Sequence, residues 1–416
     1  MGRTAIEKIF VEHTADEVAP GRVIWLELDL RSARDFAGAN VVKRFREAYP
    51  GERVADPGKT FFTFDLNAPP NTIAYAENQR ECRAFAREQG IKVYDVDAGI
   101  GTHVLMEEGL VLPGHTAVGT DSHFNILGAV GAFGQGMGDV DIAFAFRYGR
   151  TWFEVPPTMK VVLRGRYEYP TTAKDLVLFL VGKLGARGAL GRAVEIYGEA
   201  VEALDMAGRI TLCSMATEMG AISAFLPPSD GLWSFLEETT GKRDHPYPTA
   251  DPDAEYVQEL EFDVSGLKPK IAAPPRPDNV YDVSELEGER VDAVFVGSCT
   301  NGRYEDIRLV AEILKGRRVA KGVILTVVPA TRRVWGRLLR EGWLQVLHDA
   351  GAIISHPRCS GCAQGHLGMT GEGEVQLSTA NRNFPGKQGK GRTYLCSPAT
   401  AAATALFGRI TSPEHL

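Results

Sequence analysis

The chain has 416 residues, 44% apolar and 24% charged, with a formal net charge of -7. That length exceeds one ordinary core, so two or three domains are expected, and the composition excludes a disordered chain. The acidic balance argues against a nucleic-acid partner, and no run of about 18 apolar residues offers a membrane span.

From the N-terminus, "MGRTAIEKIFVEHTADEVAPG" lacks the apolar centre of a secretory signal, so a cytoplasmic location is expected. "FDLNAPP" carries Asp65, "AGIGTHVLMEEG" carries His103, and "GTDSHFN" carries Asp121, Ser122 and His123. Taken alone, Asp-Ser-His reads as a turn and helix cap. The glycines of "GAVGAFGQGMG" (128–138) superficially suggest a dinucleotide loop. No strand-turn-helix context is evident around them, and close packing is the expectation. Prolines precede a strand-like run at 153–165, and a second proline-rich stretch at 267–285 reads as an extended linker. These seams divide the chain into domains 1–155, 156–278 and 279–416.

The last domain alternates strand and helix. "VDAVFVG" (291–297), "GVILTVVPA" (322–330) and "AIIS" (352–355) read as strands. Residues 301–316 and 331–351 each read as one helix. This alternation predicts an α/β layer on a parallel sheet. Cys299 then follows the first strand, while Cys359 and Cys362 follow the third, where open α/β sheets place ligands.

Six cysteines are too few for a disulfide scaffold in a chain of this size. Cys82, Cys213 and Cys396 sit in apolar contexts and read as core residues. The remaining C-x59-C-x2-C set supplies three thiols. A structural zinc site would need a fourth ligand, for which His356 or His366 is available. A [4Fe–4S] cluster held by three thiolates would keep one iron open as a Lewis acid. Spacing alone does not choose between these.

"FVGSCTNGRYEDIRLVAEILKGRRV" (295–319), "GTDSHFNILGAVGAFGQGMGDVDIA" (119–143) and "STANRNFPGKQG" with "YLCSPATAAATA" (378–404) together resemble the aconitase superfamily. The likeness is to the large subunits of 3-isopropylmalate dehydratase and homoaconitase, and it runs over nearly the whole chain. It implies a three-domain aconitase-like α/β large subunit, with parallel-sheet layers around a central iron–sulfur site. Cys299, Cys359 and Cys362 would ligate a [4Fe–4S] cluster with one open iron. The resemblance further implies a hydro-lyase that moves water on a 2-hydroxy di- or tricarboxylate. Asp65, Asp121, His123 and Glu218 would be its catalytic groups, joined by His103 through a local shift into the site. Ser122, Asn301, Arg303, Ser378, Asn381, Arg382 and Lys387 would bind substrate, with Arg382 as the bidentate carboxylate clamp. A separate small subunit, the swivel domain, would bring the serine base.

Several positions depart from the family pattern. Leu66 stands where a histidine should follow Asp65. Thr102 occupies the place of a second histidine, with His103 one residue later. Ser214 replaces an asparagine, Lys387 an arginine, and "FNI" follows the Asp-Ser-His motif where small polar residues are usual. Leucine handles no proton, and a missing general acid typically costs ~10²–10⁴ in rate. These departures favour a non-standard substrate. The alternatives are an ordinary homoaconitase or 3-isopropylmalate dehydratase large subunit, or a non-catalytic iron–sulfur sensor or RNA-binding relative.

Overall fold

The computed structural model describes residues 2–362 and 366–416, which form two compact units. The first unit comprises residues 1–164, 189–206 and 220–262, and the second comprises 165–188, 207–219 and 263–416.

Unit 1 begins with β1 (Val23–Glu27), β2 (Leu30–Arg34), β3 (Thr60–Thr63), β4 (Lys92–Tyr94), β5 (Thr116–Gly119), β6 (Phe133–Gly136) and β7 (Arg150–Glu154). Strands β1 and β7 form an antiparallel ribbon. The other five make a parallel sheet in the order β4-β3-β2-β5-β6. Every residue of β2, β3 and β5 is buried, as expected for parallel strands covered on both faces. Phe45, Phe62, Phe85 and Phe146 pack the core around this sheet. A second sheet in unit 1 contains β8 (Thr158–Arg164), β9 (Ala193–Tyr197), β10 (Ser223–Phe225) and β11 (Gln258–Asp263), in the order β10-β9-β8-β11.

Unit 2 holds β12 (Lys270–Ala272), β13 (Val280–Asp282), β14 (Ala293–Val296), β15 (Ile324–Val327), β16 (Ile353–Ile354), β17 (Val375–Ser378) and β18 (Arg392–Cys396). Their order is β13-β12-β18-β17-β14-β15-β16. The five strands from β18 to β16 are all parallel, as the alternation in the sequence predicts.

Both parallel sheets share one logic of order. In unit 1 the chain runs from β2 outward through β3 to β4, then returns to β2's other side with β5 and β6. In unit 2 it runs from β14 through β15 to β16, then returns with β17 and β18. Each sheet therefore has a topological switch point, between β2 and β5 and between β14 and β17. A crevice beyond the carboxyl ends of the strands forms at such a point.

Three sequence expectations need correction. Residues 267–285 are not a solvated linker, because β12 and β13 pair antiparallel there, Lys270 opposite Asp282, and β12 joins β18. The prolines at 274, 275 and 277 fall in the connecting turn, so the flanking strands keep their N–H donors. Residues 331–351 form two helices, Arg332–Arg340 and Trp343–Ala350, because Gly342 between them takes a left-handed φ of 80°. The segment 128–138 does have a strand-turn-helix context, since β6 leads into the helix Asp139–Tyr148. That helix start carries Asp139 and Asp141, which oppose a phosphate. Its glycines serve close packing as expected: a Cβ on Gly134 would lie 2.3 Å from the Phe124 carbonyl oxygen.

Candidate active site

At the switch point of unit 1, three adjacent strand ends deliver charged side chains. Arg34 closes β2, Asp65 follows β3, and Asp121 follows β5. The Arg34 guanidinium bridges the other two: Nε donates to Asp65 Oδ1 at 2.7 Å, and Nη1 lies 3.0 Å from Asp121 Oδ1. Asp65 Oδ2 accepts from the backbone N–H of Gly101 at 2.8 Å, at the start of the helix Gly101–Glu107. Burial pushes the Asp65 carboxyl up to about 6, with Arg34 opposing and the neighbouring Asp35 and Asp121 charges adding to the rise. Asp35 accepts the backbone N–H groups of Asp65, Leu66 and Asn67, and an amide N–H of Gln79. The turn holding Asp65 is thus fixed by a carboxylate that sequence reading passed over.

Asp121 Oδ1 also accepts the backbone N–H of His123 at 3.0 Å. The turn reading of Asp-Ser-His therefore holds, and the same turn buries His123 while leaving Ser122 exposed. Leu66 is buried beside the Asp35 cradle. Thr102 and His103 are both buried on the helix Gly101–Glu107, and the Thr102 hydroxyl has no hydrogen-bond partner among the described residues.

Unit 2 builds its groups around its own switch point. Gly297, at a φ of 148°, and Ser298, at a φ of 73°, turn the chain sharply after β14 and deliver Cys299. Ser298 is the one described non-glycine residue with positive φ, a conformation that costs L-residues energy and that gathers at functional sites. Thr379, just beyond β17, locks this turn: its hydroxyl accepts from the Gly297 N–H at 2.9 Å and donates to the Gly297 carbonyl at 3.1 Å.

Cys299 is buried, and its thiol donates to Asn381 Oδ1 at 3.4 Å. The Asn381 amide in turn donates to the Ser214 carbonyl. Cys359 and Cys362 place their sulfurs 3.6 Å apart, as free thiols. Residues 363–365 of the "CSGCAQGH" stretch lie outside the described residues. Arg382 Nε donates to the fully buried carboxylate of Glu218 at 2.7 Å. Although burial works against its charge, Arg382 is held above the ordinary arginine value by Glu218 first, with Cys362 and Cys299 contributing. Both thiols therefore lie within its electrostatic reach.

Asn301 donates to Thr211 Oγ1 and to Asp306 Oδ1, while Asp306 Oδ2 accepts the Arg303 N–H that opens the helix Tyr304–Leu314. The Asn301 side-chain oxygen Oδ1 is buried without a partner among the described residues. Ser378 is buried, and its hydroxyl accepts from the Ala380 N–H. Lys387 is half-buried in the turn after Phe384. His366 is buried and His356 half-buried.

One residue of unit 2 escaped sequence reading. Lys174, at the start of the helix Ala173–Leu184, is fully buried and donates from Nζ to the carbonyls of Thr379 and Ala380, both at 2.9 Å. Burial pulls its ammonium down to about 8, and the acidic groups around it, Cys396, Glu218, Cys299 and Asp306, resist that fall. A signal for it was present: "TAKD" is a capping-box pattern opening an almost wholly apolar helix, so a lysine there enters the interior.

Among the described residues, no group of three or more His, Cys, Asp or Glu side chains is arranged to hold a metal ion. Cys359 and Cys362 come together, and Cys299 joins the Asn381–Arg382 turn; the two sets are not drawn in to the spacing that one shared ion demands. A cluster makes a different demand, because each thiolate binds a separate iron. Soft thiol donors, two of them buried, beside a cationic Arg382 suit an iron–sulfur group by donor chemistry.

The model of the aconitase family (aconitate hydratase) matches residues 7–290 and 283–408. A 3-isopropylmalate dehydratase large subunit from Methanopyrus kandleri is 44% identical, covering 100% of this chain and 99% of its own length. Another from Archaeoglobus fulgidus is 43% identical over 100% of both chains. A probable methanogen homoaconitase large subunit from Methanothermobacter thermautotrophicus is 41% identical over 98% of this chain and 97% of its own. These full-length likenesses cover both switch points and all three candidate ligand cysteines: the chain belongs to the aconitase family and is an enzyme of the hydro-lyase class.

Proposed function

We propose that this chain is the cofactor-bearing large subunit of a dehydratase that isomerises a 2-hydroxy acid of the isopropylmalate or homocitrate type. The buried Arg382–Glu218 pair beside the thiols carries this reading. The relatives favour the ordinary substrate classes over the unusual substrate that the sequence departures suggested.

In this reading Cys299, Cys359 and Cys362 hold a [4Fe–4S] cluster. When bound, it supplies a Lewis-acidic iron for the substrate's hydroxyl and a carboxylate. Arg382 presents its terminal nitrogens to a second carboxylate, oriented through its Nε bond to Glu218. Asn301, Arg303, Ser378, Asn381, Ser122 and Lys387 complete substrate recognition. Dehydration removes a carbon-bound proton and the hydroxyl; Glu218, Asp121, His123 and His103 handle protons for the hydroxyl. Asp65 accepts hydrogen bonds at both oxygens, so its part is to hold Arg34 and the start of the helix bearing His103. The carbon-bound proton goes to a serine on a small swivel-domain subunit, the partner implied by relatives named large subunits.

The division at 155 and 278 and a cytoplasmic location belong to the same proposal, the latter supported by six free thiols. A sensor that binds RNA fits poorly with the net charge of -7.

The test is turnover by the iron-loaded chain mixed with a small subunit of this family. Dehydration of isopropylmalate- and homocitrate-type acids, and hydration of the unsaturated acids they form, are expected at rates typical of ordinary dehydratases. A loaded complex that turns over neither class would overturn the substrate assignment.

A further inference from the structure

Lys174 has no assigned part in this chemistry, yet its surroundings are unusual. A buried ammonium normally needs a carboxylate in contact to offset its desolvation. The described hydrogen bonds of Nζ run instead to two backbone carbonyls, those of Thr379 and Ala380, with Met215 Sδ at 3.9 Å. Those carbonyls belong to the turn leaving β17, directly before Asn381 and Arg382. Asn381 meets the Cys299 thiol, Arg382 meets Glu218, and Thr379 binds both polar groups of Gly297, two residues before Cys299.

The support for Lys174 is equally fixed. Thr172 caps its helix, and the next residue, Asp175, accepts the Thr172 N–H and the Lys270 N–H from β12. The ammonium is thus held from behind by a capped helix and in front by a turn that carries two site residues.

We propose that Lys174 is a positioning residue for the cofactor seat, clamping the turn 379–382 so that Asn381, Arg382 and, through Thr379, Cys299 keep their places. This inference rests on the cluster reading above. The positive charge of Lys174 also acts on Cys299, and a charge of that sign favours a bound thiolate.

The test compares the full-length parent chain with Lys174→Met, Lys174→Arg and Thr379→Val after anaerobic loading with iron and sulfide. The readouts are far-UV circular dichroism, the rate of iron loss to a chelator, and the cluster's midpoint potential. Lys174→Met is expected to fold and to lose iron on the order of 10–100-fold faster, the range for losing an outer-shell support. Its potential should shift downward, and Lys174→Arg should recover part of both effects. Thr379→Val should also speed iron loss, which keeps the test decisive if Lys174→Met does not fold. Parent-like iron retention and potential in a folded Lys174→Met, or parent-like retention in Thr379→Val, would overturn the positioning role. A parent chain that takes up no iron would instead sink the cluster reading, and this inference with it.

Discussion

Arg382 and Glu218 form a buried ion pair, Nε to Oε1 at 2.7 Å, joining the turn after β17 to the short helix Ala216–Met219. Removing one member of such a pair strands the other's charge, at a cost of about 3–5 kcal/mol. Glu218→Gln keeps the shape and removes the charge. We expect the variant to bind iron as the parent does while kcat falls ~10²–10⁴-fold, the range for losing a proton-handling group. Parent-like kcat, with iron content matched, would count against Glu218.

Asp65 predicts a pH dependence of stability. Its carboxyl is raised to about 6 in the folded chain, from an ordinary 3.8. The folded state therefore binds the proton more tightly than the unfolded one. The stability this contributes is complete below about pH 4 and is lost as pH rises through 6. Asp65→Asn carries no titration at this position. The stability of the parent relative to the variant should therefore fall by about 2 kcal/mol between pH 4 and 7, because a tenfold difference in proton affinity is worth ~1.4 kcal/mol. Urea melts at four pH values measure this; a difference independent of pH would contradict it.

Ser298 gives a backbone prediction. Its φ of 73° suits glycine and strains a β-branched residue. Ser298→Gly should leave the melting temperature nearly unchanged, while Ser298→Val should lose about 1–3 kcal/mol and displace Cys299. Equal melting temperatures for the two variants would show that the turn is not strained.

Gly134 tests the close packing read from its segment. A methyl group there meets the Phe124 carbonyl oxygen at 2.3 Å and the Leu127 Cβ at 3.0 Å. Gly134→Ala is expected to destabilise by about 1–3 kcal/mol, seen as a lower denaturant midpoint at unchanged m-value. A parent-like midpoint would mean the helical turn above it yields freely.

The parallel sheet of unit 2 was legible because its strands are short apolar runs between amphipathic helices, and the cysteines fell at strand ends for the same reason. Unit 1 was less legible. Arg34, Asp65 and Asp121 meet only because β2, β3 and β5 are neighbours, and strand order is not written in local periodicity. Lys174 escaped for a related reason: its partners are backbone carbonyls 205 and 206 residues away. The linker at 267–285 misled because prolines dominate its composition, while the residues that pair lie outside the proline cluster.

We expect Cys299, Cys359 and Cys362, and no other cysteines, to seat an iron–sulfur cluster. Iron and sulfide counts after anaerobic loading, made for the parent and six single Cys→Ser variants, decide this. About four irons per parent chain are expected, as for a [4Fe–4S] cluster. Severe loss is expected in Cys299→Ser, Cys359→Ser and Cys362→Ser, and parent-like counts in Cys82→Ser, Cys213→Ser and Cys396→Ser. A colourless parent with one zinc per chain, or equal iron loss in Cys396→Ser, would contradict it.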